Sequence, residues 1–119
     1  MSDHKELDAW KQAMALTKDI YIITRKFPKD EQYGIVSQIR RAAVSIPSNI
    51  AEGSARNSDR EFIQFLYIAQ GSLAELETQL LIAKELKYTD NNDEIFSNIK
   101  SIQKLIQGLI KYLKGKQQK

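Results

Sequence analysis

Residues that titrate or attack near neutral pH are scarce in this chain. There is no cysteine, and the single histidine, His4, sits in a polar N-terminal stretch, away from any apolar pattern. The usual general base and the usual soft nucleophile are therefore missing from the region that folds, and a Ser-His-Asp arrangement would have to borrow His4 from the end of the chain. No Glu-x-x-His pair of the kind that builds a di-iron centre in a helical bundle occurs, nor does a glycine-rich phosphate loop or a zinc-ligand spacing. The expectation is a non-enzymatic protein with no metal or cofactor.

What the chain does offer is cations in ordered positions. Lys100, Lys104, Lys111 and Lys114 recur so that a helix would carry them within an arc of about 80°. From Ile95 to the last residue there is no carboxylate side chain. Such a row neutralises phosphates without reading bases, although the same row is also an ordinary solvated face. Tyr112 is the only late aromatic, so base stacking along this row is not expected. Lys11, Lys18 and Arg25 form a second line, seven residues apart. Arg40 and Arg41 stand beside an apolar face. Arg56 and Arg60 flank a predicted helix start, where backbone donors and guanidinium groups together would suit an anion; surface ion pairs with Asp59, Glu61 or another subunit are the competing reading. Ser45, Ser48, Asn49 and Glu52 form a polar cluster around Pro47. Its commoner role is structural, satisfying backbone groups freed by the proline or bonding a neighbouring helix, with a ligand pocket as the alternative. Tyr33, Tyr67, Tyr88 and Phe96 are either interface anchors or partly buried side chains.

The elements that must position these groups are four stretches with apolar residues at helical spacing. Leu7 to Phe27 reads as a helix with Leu7, Trp10, Met14, Thr17, Tyr21 and Thr24 on one stripe, widened by Ala13, Leu16, Ile20 and Phe27, and stopped by Pro28. Asp30 is a candidate N-cap for a second helix over Glu31 to Glu52, with Ile35, Ile39, Ala42, Ala43, Ile46 and Ile50 inward and Gly53 as its stop. Pro47 either kinks this helix or ends it near Ser45 and restarts it; the continuing stripe to Ile50 favours the kink. Ser58 and Glu61 form a capping box that opens a third helix running to Leu86. Its broad face of Phe62, Phe65, Leu66, Ala69, Leu73, Leu76, Leu80 and Ala83 points to more than one neighbour, and Gly71 with Ser72 would admit a close approach. Asn91 and Glu94 resemble a second capping box. They precede a helix from Asn92 to Leu113 with Ile95, Ile99, Ile102, Ile106, Leu109 and Leu113 inward.

These stripes can be hidden only against one another or against copies of the chain, and little sequence remains for a sheet. A chain of 119 residues, 42% hydrophobic and 28% charged, suits one domain with a real core, expected over residues 1–119 with flexible ends at about 1–5 and 115–119. The net charge of +3 permits contact with nucleic acid without demanding it. No segment is apolar enough to cross a bilayer, the N-terminus is too polar for a signal peptide, and the lack of cysteine fits a reducing compartment, so a cytoplasmic location is expected. The fold class expected is all-α, a helical bundle.

The run from Tyr33-Gly34-Ile35 through Arg40-Arg41-Ala42-Ala43 to Ser45-Ile46-Pro47-Ser48-Asn49-Ile50-Ala51-Glu52-Gly53 resembles the signature of four-helix-bundle proteins related to 23S rRNA intervening-sequence proteins. The likeness continues in Glu61-Phe62-Ile63-Gln64-Phe65-Leu66-Tyr67-Ile68-Ala69 and in Gly71-Ser72-Leu73-Ala74-Glu75-Leu76-Glu77-Thr78-Gln79, with Trp10-Lys11-Gln12-Ala13-Met14 and Phe27-Pro28 upstream. The resemblance implies an antiparallel up-and-down four-helix bundle that assembles as a homopentamer, and it favours a helix that bends at Pro47. Members are encoded within intervening sequences of bacterial 23S rRNA genes or elsewhere in genomes. Related proteins accompany the reverse transcriptases of diversity-generating retroelements, where a basic pentamer binds the polymerase and nucleic acid. No catalytic residues come with the family. The expected partners are therefore other copies of the chain, RNA or another nucleic acid, or a protein partner for which the bundle acts as a scaffold or accessory subunit.

Overall fold

Pro28, the Gly34 turn, the Ser54–Ser58 bend and the polar run after Tyr88 divide the chain into α1 (Asp8–Thr24), α2 (Ile35–Ser54), α3 (Asp59–Glu85) and α4 (Asp93–Gln117). The computed structural model describes residues 3–117; Met1, Ser2, Gln118 and Lys119, part of the expected flexible ends, lie outside the described residues. Short 3-10 turns at His4–Glu6 and Lys29–Glu31 complete the elements, and no strand occurs among the described residues. Each helix packs on the next in chain order and α4 closes on α1, giving a four-helix bundle of 51 × 23 × 20 Å.

The core is a continuous apolar seam. Leu16 and Ile20 of α1 and Ile39, Ile46 and Ile50 of α2 are fully buried, as are Leu66, Leu76 and Leu80 of α3 and Ile99, Ile102 and Ile106 of α4. At about 1.5–3 kcal/mol for each large side chain, this burial dominates the drive to fold. The α1 stripe is turned by about a quarter of a helix from the one expected. Ala9, Ala13, Leu16, Ile20 and Thr24 face inward, while Met14 (47% exposed) and Tyr21 (37%) lie at the edge. Alanines at the seam bring α2 close, and bulky residues take the flank.

α2 departs from expectation at both ends and in the middle. Glu31 belongs to the 3-10 turn, and α2 begins at Ile35, because Gly34 with ψ −116° lies far from helical geometry. Asp30 therefore caps nothing in α2, whose N-cap is Gly34 without a side-chain bond. The helix runs unbroken through Pro47 to Ser54, which removes the break-and-restart alternative. Proline has no N–H to give the carbonyl of Ala43, and Thr17 Oγ1 from α1 reaches that oxygen at 3.2 Å. Gly53 does not stop the helix and has no positive φ. Its lack of a side chain lets α3 in: a Cβ there would lie 2.7 Å from Phe65 Cβ and 2.9 Å from Phe62 Cδ1.

The Ser58 capping box is present, with Glu61 N–H donating to Ser58 Oγ at 3.2 Å. α3 ends on a left-handed residue, but that residue is Lys87 (φ 63°) rather than glycine, with Tyr88 N–H returning to the Ala83 carbonyl at 2.9 Å. Gly71 has nothing within 4 Å of where its Cβ would be, so Ser72 alone makes the close contact expected of the pair. α4 opens at Asp93 with Asn92 folded back on Thr89 Oγ1, not through Asn91, and it continues past Leu113 to Gln117. Tyr88 and Phe27 close one end, their ring centroids 5.8 Å apart, and Tyr88 Oη donates to Glu31 Oε2 at 2.7 Å. That bond to a carboxylate, together with partial burial, raises the Tyr88 pKa above 10.0. The stabilisation it brings is complete below the ordinary tyrosine range and is lost as the pH climbs through the raised value.

Two glycines should respond in opposite directions. Gly53→Ala is expected to lower stability by about 1–3 kcal/mol through overpacking against Phe62 and Phe65. Gly71→Ala is expected to raise it by about 0.5–1 kcal/mol through helix propensity. Urea denaturation followed by circular dichroism reads both, and equal effects at the two sites would contradict the packing described.

Candidate nucleic-acid interface

Because Ile95, Ile99, Ile102, Ile106, Ile110 and Leu113 turn α4 inward on one side, Lys100, Lys104, Lys111 and Lys114 emerge on its flank, all exposed. Over this length the row spans about 21 Å. Lys100, Lys104 and Lys111 have no ion-pair partner among the described residues. Lys114 differs: its Nζ donates to Tyr67 Oη of α3 at 2.7 Å and lies 5.2 Å from the centre of that ring. Two residues on, Lys116 pairs with Asp59 at 3.2 Å. The row thus faces the α3 side of the bundle, with its far end tied to α3. Lys11, Lys18 and Arg25 are exposed on α1, opposite its buried stripe.

The four arginines do not act alike. Arg40 is half-buried and holds the end of α1: its Nε donates to Thr24 Oγ1 at 2.9 Å, its Nη2 to the Tyr21 carbonyl at 3.4 Å, and its guanidinium lies 4.5 Å over the Tyr21 ring. A cation is favoured there, where the last carbonyls of a helix carry partial negative charge. Arg41, about 100° further round α2, is exposed. Arg56 turns back to Glu52 at 2.8 Å and covers the Phe65 ring at 4.8 Å. Arg60 stays in solvent. The anion site expected at the start of α3 is not assembled, since Arg56 points away from it and Ser58 already takes the Glu61 N–H. Arg56 finds its carboxylate within α2, not at Asp59 or Glu61. α2 and α4 make no contact, so Arg40 and Arg41 lie on a different face from the lysine row.

The polar cluster around Pro47 divides. Ser45 Oγ meets Ser72 Oγ of α3 at 2.7 Å, and Asn49 Nδ2 donates to the Ser45 carbonyl at 2.8 Å and to its hydroxyl at 2.9 Å. This chain joins α2 to α3. Ser48 is exposed and Glu52 is engaged by Arg56, so neither belongs to it. The carbonyl freed by Pro47 is served by Thr17, a residue with no place in the expected cluster.

A groove between α1 and α2 escaped the sequence reading. Tyr21, Val36, Arg40, Arg41 and Val44 line it, with Tyr33 at its rim. Tyr33 is 97% exposed, whereas Tyr88 and Phe96 are half-buried against the core and Tyr67 is 51% exposed. The signal available was an aromatic beside a helix-breaking glycine, about two turns ahead of two adjacent arginines. Among the described residues, no group of histidine, cysteine, aspartate and glutamate converges as a metal site would need, and no helix is long and apolar enough to cross a membrane.

No curated protein matches the chain. The family model for the 23S rRNA-intervening sequence protein matches residues 5–108, which include α1, α2 and α3 whole and the first two-thirds of α4. Together with the four-helix bundle, that match makes this chain a member of the 23S rRNA-intervening sequence protein family.

Proposed function

We propose that the protein is a non-enzymatic, cytoplasmic RNA-binding protein that works as a homo-oligomer, a homopentamer of antiparallel up-and-down bundles as the family resemblance implies. The observation that carries this reading is the exposed row Lys100, Lys104 and Lys111 on a helix whose sequence from Ile95 onward holds no carboxylate side chain. Unpaired lysines at this spacing meet successive phosphates and release counterions. Symmetry in a ring would repeat the row on each subunit and raise the local charge well beyond that of one chain. Self-association is supported by a second feature: large apolar side chains stay exposed on α3 and at its end, with Ile68 and Ile82 on one flank, Leu86 just past the last turn and Leu81 on the other flank. These exposed side chains also support the second reading, a scaffold or accessory subunit for a nucleic-acid enzyme such as a reverse transcriptase.

Filter binding of 23S rRNA fragments across a salt series, with light scattering on the same sample, tests both parts. Three phosphate contacts, from Lys100, Lys104 and Lys111, predict a loss of affinity of about 20- to 40-fold between about 50 and 200 mM salt. Replacing Lys100, Lys104, Lys111 and Lys114 with glutamine should abolish most binding while leaving the particle mass unchanged. Failure to retain RNA at the lowest salt would overturn RNA binding, and a monomer mass at micromolar concentration would overturn the oligomer. Capture of a protein partner that is indifferent to the four substitutions, without RNA retention, would favour the scaffold.

A further inference from the structure

The groove between α1 and α2 carries chemistry that the bundle does not consume. Tyr33, in the turn before α2, has 97% of its surface in water, so no packing accounts for an aromatic at that point. In the same groove, Arg40 is held over the Tyr21 ring, 4.5 Å from its centre, by bonds to Thr24 Oγ1 and the Tyr21 carbonyl. The groove therefore presents a pinned guanidinium and a free ring. Arg41 adds an exposed cation with no ion-pair partner among the described residues, and Val36 and Val44 supply apolar wall. No carboxylate lines the groove. Glu31, two residues before Tyr33, is turned away and bound to Tyr88.

The complementary ligand is flat, with a π face, and negatively charged at one edge. Both demands are met by a nucleotide: bases stack on aromatic rings and on guanidinium planes, and phosphates take arginine as partner. Only an unstacked base can reach such a surface, which selects single strands over duplex. Resting on the RNA-binding reading above, we propose that this groove holds an unpaired nucleotide of single-stranded RNA, with its base against Tyr33 and its phosphate on Arg41. The site lies on a different face from the lysine row, because α2 and α4 do not touch. The two surfaces then divide the work: the row supplies salt-dependent attraction to any RNA, and the groove supplies preference for unpaired segments.

Fluorescence anisotropy with a labelled 12-nucleotide oligouridine and a duplex of equal length tests the division. Tyr33→Ala should weaken binding of the single strand by about 5- to 100-fold and leave the duplex within twofold. Tyr33→Phe should retain wild-type affinity, and Arg41→Gln should reduce the slope of log K against log salt for the single strand by about 0.7. Equal losses on single strand and duplex, or no loss on either, would overturn the proposal, as would a wild-type protein that binds duplex alone. A change in particle mass with Tyr33→Ala would make the groove an interface between copies and likewise overturn it. Competition by polyglutamate equal to that by RNA would assign the groove to an acidic protein segment instead. Absence of binding to both RNAs would instead remove the RNA-binding reading on which this site rests.

Discussion

Pro47 removes one backbone donor from the middle of α2, and the bundle is arranged around the repair. The carbonyl left behind belongs to Ala43, a fully buried residue on the seam. An unmatched buried carbonyl costs about 1–3 kcal/mol, so the gap must be filled from outside the helix. Thr17 Oγ1 of α1 fills it in part, sharing its single proton between this carbonyl at 3.2 Å and its own Ala13 carbonyl at 2.8 Å. Apolar burial is non-directional and would tolerate α1 sliding or rotating along α2. A hydroxyl that must meet one particular oxygen does not. The same logic runs outward from α2: Arg40 ties its first half to the end of α1, Ser45 ties its centre to Ser72 of α3, and Gly53 lets Phe62 and Phe65 of α3 touch its last turn.

That arrangement also decides which charges remain free. Arg40 and Arg56 are spent on the α1 terminus and on Glu52, and Lys114 and Lys116 on α3. Among the described residues, the cations left to a partner include Arg41 and Arg60, the first part of the α4 row, the outer line of α1 and scattered lysines such as Lys26, Lys29, Lys84 and Lys87. They lie on separate faces of a narrow rod. A single chain therefore offers several modest basic surfaces rather than one deep cleft.

Periodicity made the four helices and most of the core legible from the residues, because a 3.6-residue repeat with few breakers leaves one solution. It failed where one residue serves two purposes. On α1 the larger side chains drew the predicted stripe toward Met14 and Tyr21, but close packing prefers Ala9 and Ala13 at the seam. Thr17 read as part of an apolar stripe, and its role became visible only once α2 continued through Pro47. Gly53 looked like a stop signal because glycine serves both left-handed turns and close approach, and composition cannot tell them apart. The lysine row was readable because it depends on spacing within one helix. The Tyr33 groove was not, because it joins a turn to side chains from two helices.

The most direct measurement is a double-mutant cycle between Thr17 and Pro47, read as unfolding free energy. Thr17→Val keeps the shape of the side chain and removes the donor, at an expected cost of about 1–2 kcal/mol. In a Pro47→Ala background the restored N–H of residue 47 reaches the Ala43 carbonyl, so the part of that cost due to the shared bond should vanish, leaving a coupling of about 0.5–1 kcal/mol. Costs that add to within about 0.3 kcal/mol would contradict the account, since the hydroxyl would then not be standing in for the proline's missing hydrogen bond.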